Sequence, residues 1–289
     1  MINSRILMTD ANHIGIAGIN AYEDVSHGPN RAAAIAQFAT IQTALKSAGI
    51  QIEHIPSPPG EQDGVYTANW AITRDGRALL SRLPNARSGE EAYAQAALIK
   101  LGYQVRRPSH IFSGQGDVLM FNDHEAILGY GYRTQNTPEL QDHLSWLGIN
   151  AHPVQAKPQR FLGRLWRQKN RVSGLYDSYF YDIDLAVAVI APNVLAVCLD
   201  ALTVRGRQAI RTLETRTTNP VTIIPVSYAE ATQAFACNLV STGKTIIMAE
   251  GATKLKADLE TRGYQVIPVP NDQFKLTGGG IRCISLTLA

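Results

Sequence analysis

A short phrase recurs along the chain in which a helix ends at glycine, a strand follows and proline closes it, and this repetition restricts the fold more than any single motif. The phrase runs from Gly49 to Pro56, Gly102 to Pro108, Gly148 to Pro153 and Gly263 to Pro268. A fifth copy, Asn219 to Pro225, substitutes asparagine for the glycine. Glycine suits the residue after a helix because it accepts positive φ, asparagine tolerates the same turn next best, and proline ends a strand by withholding its N–H. Each phrase leads to a second module, in which a polar residue precedes an apolar strand that turns and returns. These modules begin at Asn69, Asp117, Asp184, Asn238 and Cys283, with spacings of 48, 67, 54 and 45 residues. A period of this size marks a repeat architecture.

Segments with helical periodicity lie between the modules, notably residues 31–47 and 90–100, where alanine and leucine share one face. Glu90 and Glu91 suit the positive end of a helix dipole. Each unit therefore reads as strand, hairpin and helix, repeated about a pseudo-axis on which the five polar residues converge. An ordinary α/β sheet would account for the glycine joints but not for a polar residue at every hairpin start.

Residues 1–289 are read as a single α/β domain. The 289 residues carry 45% hydrophobic and 18% charged side chains, which excludes disorder and provides for a buried core. The formal charge is only +3, and the one basic cluster, Arg160, Arg164, Arg167, Lys169 and Arg171, reads as a solvated loop, so nucleic acid is not indicated. No apolar run reaches the length of a membrane span and the N-terminus does not resemble a signal peptide, so no membrane partner and a cytoplasmic location are expected. Cys198, Cys237 and Cys283 form neither an even disulfide set nor a CxxC pair, and reduced thiols are expected. Residues 134–176, which include the basic cluster, read as a helix and a long loop able to cover a site.

Cys283 follows Gly278-Gly279-Gly280-Ile281-Arg282 and precedes an apolar strand, Ile284 to Leu288. Three glycines let a backbone approach a ligand closely and present a thiol at a pocket floor, which points to Cys283 as a nucleophile. Cys198 and Cys237 lie in apolar runs and read as core residues. Asp117 stands between glycines and a strand, where it is either a turn carboxylate or a pocket residue. Asp182 and Asp184, two apart, would point the same way in an extended chain, either into a pocket that suits a cation or at a solvated strand end. Arg87 and Arg133 are each either a bidentate clamp for a substrate carboxylate or a surface ion pair. The histidines show no metal-ligand spacing, and neither a Walker loop nor a dinucleotide fingerprint occurs.

With these residues assembled, the chain resembles the dimethylargininase group of the guanidine-modifying (pentein) superfamily, which also contains arginine deiminases and amidinotransferases. The resemblance rests on Asp63-Gly64-Val65-Tyr66-Thr67-Ala68-Asn69, on Gly116-Asp117-Val118-Leu119, on Tyr132-Arg133-Thr134 and, most specifically, on Phe274 to Leu288. It implies a five-bladed pentein α/β propeller and a thiolate that attacks a guanidinium carbon, expels an amine and leaves a thiouronium for water to hydrolyse. It implies no metal and no organic cofactor. Carried over by residue, Cys283 is the nucleophile, Asp63 and Asn69 bind substrate with Asp117, and Arg87 and Arg133 hold its carboxylate.

The pattern departs from the family at two places. Asp182 stands where relatives have the general acid–base histidine, in Asp182-Ile183-Asp184, and Ala68-Asn69 replaces the usual acidic pair. Asp182 takes over as acid if burial beside Asp184 raises its pKa. Three functions then compete: a cysteine-dependent hydrolase of arginine, a methylarginine or a related guanidino compound; an inert pentein that binds a cationic amino acid; and an amidinotransferase.

Overall fold

The computed structural model describes residues 2–24, 26–158, 160–161, 166–167, 170–172, 175–176 and 178–289. Among them are five three-stranded sheets, each built from an antiparallel hairpin and one strand parallel to its second arm. In the first blade made from one continuous stretch of chain, Ala71–Arg74 pairs antiparallel with Arg77–Leu80, and Gln104–Arg106 then pairs parallel with that second arm. A parallel pair needs a crossover, which the helix Gly89–Lys100 supplies. The same order recurs in Val118–Met120, Glu125–Gly129, Pro138–Trp146 and Asn150–Val154. It recurs again in Val187–Ala191, Val194–Val197, Val204–Thr215 and Thr222–Pro225. The next blade comprises Val240–Ser241, Thr245–Ala249, Thr253–Thr261 and Gln265–Val269.

The fifth hairpin is divided between the two ends of the sequence. Leu286–Thr287 pairs antiparallel with Arg5–Met8, and after the helix Arg31–Ser47 the strand Gln51–His54 joins in parallel. The repeated unit is thus hairpin, helix, strand. The proline-closed strand completes the sheet of the hairpin before it and does not open the next unit, a shift of one element from the sequence reading, because only the preceding hairpin is within reach of a single helical crossover.

The helix ends bear out the basis of the repeat. Gly49, Gly102, Gly148 and Gly263 have φ of 83°, 89°, 71° and 87° at their helix ends; Asn219 has φ of 51° but stands in a bend beyond its helix, which ends at Thr215. The helices expected at 31–47 and 90–100 form as Arg31–Ser47 and Gly89–Lys100. In the segment 134–176 the expected helix is Pro138–Trp146; past the strand Asn150–Val154, a two-stranded ribbon pairs Arg160–Phe161 with Trp166–Arg167. Arg164 and Lys169 of the basic cluster, and with them much of the expected covering loop, lie outside the described residues. No described helix is long and apolar enough to cross a membrane.

Apolar side chains fill the spaces between neighbouring blades. Leu7, Leu286 and Leu288 of the split blade pack with Trp70, Leu80 and Leu98 of the next, all essentially buried. Closure of the ring therefore rests on burial at a joint made by residues almost 280 positions apart. Leu7→Ala removes side-chain volume there, and chemical denaturation is expected to show a loss of about 2–5 kcal/mol, as for other fully buried leucines.

Candidate active site

Three of the five hairpins are entered through a single turn of 3-10 helix: Thr67–Trp70, Gly114–Gly116 and Ile183–Leu185. Asn238 and Cys283 stand in turns at the same point of the other two blades. The tight turn before each inner strand directs its polar side chain inward, where those of Asn69, Asp117, Asp182, Asp184, Asn238 and Cys283 are buried.

Cys283 lies in a turn, and the strand expected from residue 284 begins only at Leu286. Asn238 donates through Nδ2 to the thiol Sγ at 3.1 Å, and its Oδ1 accepts the backbone N–H of Cys283 at 3.3 Å and of Arg282 at 3.0 Å. The Cys283 carbonyl accepts from Ala68 N–H at 2.9 Å. Tight packing explains one of the preceding glycines: a Cβ on Gly279 would lie 2.0 Å from the Tyr66 ring, whose hydroxyl meets Thr277. Burial pushes the thiol well above its ordinary pKa, and the neighbouring Asp184 and Asp182 push it further.

The sulfur is 3.6 Å from Oδ2 of Asp184. Asp182 does not share that direction, contrary to the expectation from an extended strand, because the 3-10 turn separates the two carboxylates. Its Oδ2 accepts from Asn69 Nδ2 at 2.8 Å and its Oδ1 from the Ser113 hydroxyl at 2.8 Å. Gly116 makes room for this junction, since a Cβ there would lie 2.6 Å from Asn69 Nδ2 and 2.8 Å from Asp182 Oδ2. Asp117 accepts the backbone N–H of Ile183 at 2.9 Å and so braces the turn that carries both aspartates. Burial first, and then Asp182, raises its carboxyl to about 8.

Arg87 departs most from expectation. The guanidinium donates to Glu90 at 2.7 and 2.8 Å, to Asn69 Oδ1 at 2.9 Å and to the Asp63 carbonyl at 3.3 Å, and lies 3.5 Å from the Asp63 carboxylate. It is neither a surface ion pair nor a free clamp; its donors are occupied within the protein. Glu90 is likewise not a solvent-facing helix start, because its carboxylate is fully buried and also accepts from Trp70 Nε1 at 2.9 Å. Asp63 is raised to about 7 by burial, against the pull of Arg87.

Arg133 stacks 3.9 Å over the Tyr181 ring and stands 4.0 Å from Asp182. Its Nη2 is buried and has no partner among the described residues, so it can receive an anionic group. Sequence reasoning did not find Ser113, Glu90 or Tyr181, nor the loop around Glu23. That carboxylate accepts the N–H groups of Ala17, Gly18 and Ile19 at 2.9, 2.7 and 3.2 Å, and Asn20 ties the loop to Thr277, just before the glycine run. None of these residues carries a motif; only the return of the chain to the axis brings them there. Among the described residues no group of three or more His, Cys, Asp and Glu is arranged to hold a metal ion.

Five buried carboxylates, Asp63, Glu90, Asp117, Asp182 and Asp184, thus share two buried arginines, Arg87 and Arg133. Burial, and after it the neighbouring acids, raise the carboxyls of Asp63, Asp117 and Asp184, and the excess of acid favours a cation.

A model of the family described as N,N dimethylarginine dimethylhydrolase, eukaryotic, matches residues 16–288. The chain is 28% identical over 98% of its length to the bifunctional arginine dihydrolase/ornithine cyclodeaminase AgrE of Nostoc sp., of whose length it spans 37%. It is 25% identical over 98% of its length to N(G),N(G)-dimethylarginine dimethylaminohydrolase of Mycobacterium tuberculosis, covering 85% of that protein. Among solved structures, an Asn→Ser variant of the N-terminal domain of ArgZ, covalently bonded to a reaction intermediate, superposes with a TM-score of 0.84 at 24% identity, covering 99% of this chain and 97% of that one. The dimethylargininase of Pseudomonas aeruginosa, a Cys→Ser variant complexed with citrulline, gives 0.76 at 17% identity, with 99% of each chain covered. These likenesses, with the five sheets, make the fold the expected pentein propeller.

The raised carboxyls have a consequence for stability. Asp63 and Asp117, ordinarily near 3.8, bind protons up to about 7 and 8 in the folded state, so the unfolded chain releases those protons first. Their contribution is fully present below about pH 4 and is lost as pH rises through 7 to 8. Carboxylates held down to about 2, such as Glu125 beside Arg216, act in the opposite sense but only at lower pH. Urea midpoints are expected to fall between pH 5 and about 8, and Asp117→Asn is expected to flatten that slope.

Proposed function

Since the chain belongs to the N,N-dimethylarginine dimethylhydrolase family, we propose that it is a cysteine-dependent hydrolase of C–N bonds in a guanidino compound, arginine or a methylarginine. The observation that carries this reading is a buried thiol 3.6 Å from a carboxylate, inside a site with more acids than bases. In this reading residues 1–289 act as one domain, in a compartment such as the cytoplasm that keeps the three thiols free.

A guanidinium stays protonated at any working pH and matches the acid excess. Its N–H groups are shared between Asp184 and Asp117, while the free Nη2 of Arg133 takes the carboxylate of an amino-acid substrate. Arg87 acts one step back, holding Asn69 and Asp63 in position. The incoming cation offsets the repulsion between sulfur and carboxylates and lowers the thiol pKa. The same cation favours the ionised form of Asp184; the Cys283 proton then passes to that carboxylate, the thiolate bonds to the guanidinium carbon, and the C–N bond to the leaving amine breaks as that amine takes up the proton. Water adds to the thiouronium carbon, gives up a proton to Asp184, and the C–S bond breaks to release the ureido product and the thiol.

Asp182 was the sequence candidate for general acid. Both of its oxygens already accept hydrogen bonds, so Asp184, which faces the sulfur, is the better proton carrier and Asp182 the anchor of Asn69, Ser113 and Arg133. A second reading, an inert site that binds a cationic amino acid, draws on the same observation, because none of the seven histidines hydrogen-bonds to this cluster among the described residues. An amidinotransferase would use the same thiouronium with an amine in place of water.

Incubation with a panel of guanidino compounds, read by mass spectrometry, separates the three. The hydrolase yields a ureido product and a transient adduct on Cys283, both abolished in Cys283→Ala; product formation in that variant would overturn the reading. Calorimetry on Cys283→Ser in buffers of different ionisation enthalpy is expected to show net proton release on binding at pH 7, as the cation displaces protons from Asp117 and Asp63.

A further inference from the structure

The hairpins run away from the thiol, and behind it their inner strands enclose a second space. A cavity of about 340 Å³ is lined there by inner-strand residues such as Thr73, Met120 and Val189 and, at the hairpin tips, by Asp75, Asp123 and Pro192. It lies beyond the 3-10 turns, on the hairpin-tip side, and Cys283 does not line it. Asp184 does, together with Gln115 and Arg282. One residue therefore borders both compartments: its Oδ2 stands 3.6 Å from the Cys283 sulfur, and its Oδ1 is buried without a partner among the described residues.

We propose that this rear cavity is the proton entrance of the site, with Asp184 exchanging protons between the Cys283 thiol and water that enters between the hairpin tips. The proposal rests on the assignment of Asp184 as proton partner of the thiol. In the outward step, which starts from the ionised form of Asp184, the S–H bond breaks, its proton bonds to Oδ2, and a half-turn of the carboxyl presents it to cavity water, which carries it to bulk solvent. The inward step is the reverse, and no electron is transferred.

The surroundings of Asp184 suit a carrier. Burial, and then the charges of Asp182 and Asp117, favour its protonated form, whereas Arg282, from the cysteine turn, favours the ionised one. Cys283 faces it from the blade that closes the ring, and Cys237 lies within its field on the neighbouring blade. Arg282 is held by Gln115 Oε1 at 2.8 Å and Thr287 Oγ1 at 3.3 Å, so it flanks the carboxylate without forming a salt bridge that would pin it. Polar lining from Asn3, Thr73, Asn122 and Gln115 gives water the several partners it needs in an enclosed space. Tyr181, on which Arg133 stacks, donates to the Gly278 carbonyl of the glycine run, and the Glu23 loop is tied to Thr277 just before that run.

The test is exchange of the Cys283 proton in the unreacted protein, followed by the infrared S–H band after transfer to D2O and assigned by difference from Cys283→Ala. Val189→Trp and Met120→Trp, on two different blades, narrow the cavity without touching the thiol cluster, and Asp184→Asn removes the carrier with the cavity unaltered. Each variant that retains native circular dichroism is expected to slow exchange by about 10²-fold, the low end for loss of a positioned proton carrier. Wild-type exchange in a folded tryptophan variant, or in Asp184→Asn, overturns the proposal. Turnover does not enter the measurement: rear exchange without a ureido product would count against the hydrolase and not against this entrance.

Discussion

The central constraint on this molecule is that five carboxylates are buried around one axis with two arginines between them. Removing ionised groups from water costs several kcal/mol each unless they are paired or neutralised. The protein uses both remedies. Arg87 is wrapped by Glu90, Asn69 and Asp63 and makes one part of the cluster rigid, whereas Asp63 and Asp117 hold protons up to about 7 and 8 and Asp184 is raised in the same direction. The first remedy gives geometry, and the second leaves a store of protons that a bound cation can displace.

The amide and hydroxyl groups divide the cluster into functional layers. Asn69 is bridged on one side by Arg87 and on the other by Asp182, so a fixed arginine reaches the second carboxylate through a neutral side chain. Asn238 does the same for the thiol, using Oδ1 on the backbone of the cysteine turn and Nδ2 on the sulfur. Rotation of either asparagine would break bonds at both ends, and this locks the orientation of the reacting groups.

The fold was legible wherever local backbone chemistry dictated it. A left-handed helix end favours glycine irrespective of tertiary context, so Gly49, Gly102, Gly148 and Gly263 announced four units, and the left-handed turn at Asn219 a fifth, before any contact was known. The convergence of Asn69, Asp117, Asp184, Asn238 and Cys283 followed from that count. The partners of charged groups were not legible, because they depend on which chain segments return to the axis. Glu90 reads in sequence as an acid at a helix start and is fully buried against Arg87 and Trp70, Arg87 reads as a clamp or a surface ion pair and is internally satisfied, and Asp182 and Asp184 face different partners because a 3-10 turn replaces the expected strand.

The split blade governs when the site can exist at all. Arg5–Met8 is synthesised first and receives its hairpin partner only from Leu286–Thr287, three residues beyond the cysteine. The five carboxylates therefore emerge before the thiol, and the ring cannot shut around them until the segment Leu286–Thr287 is available. Such a long-range closure makes folding slow relative to local helix formation. It also couples the appearance of a reactive sulfur to completion of the barrel that shields it, so a partly made chain presents the carboxylates without the nucleophile.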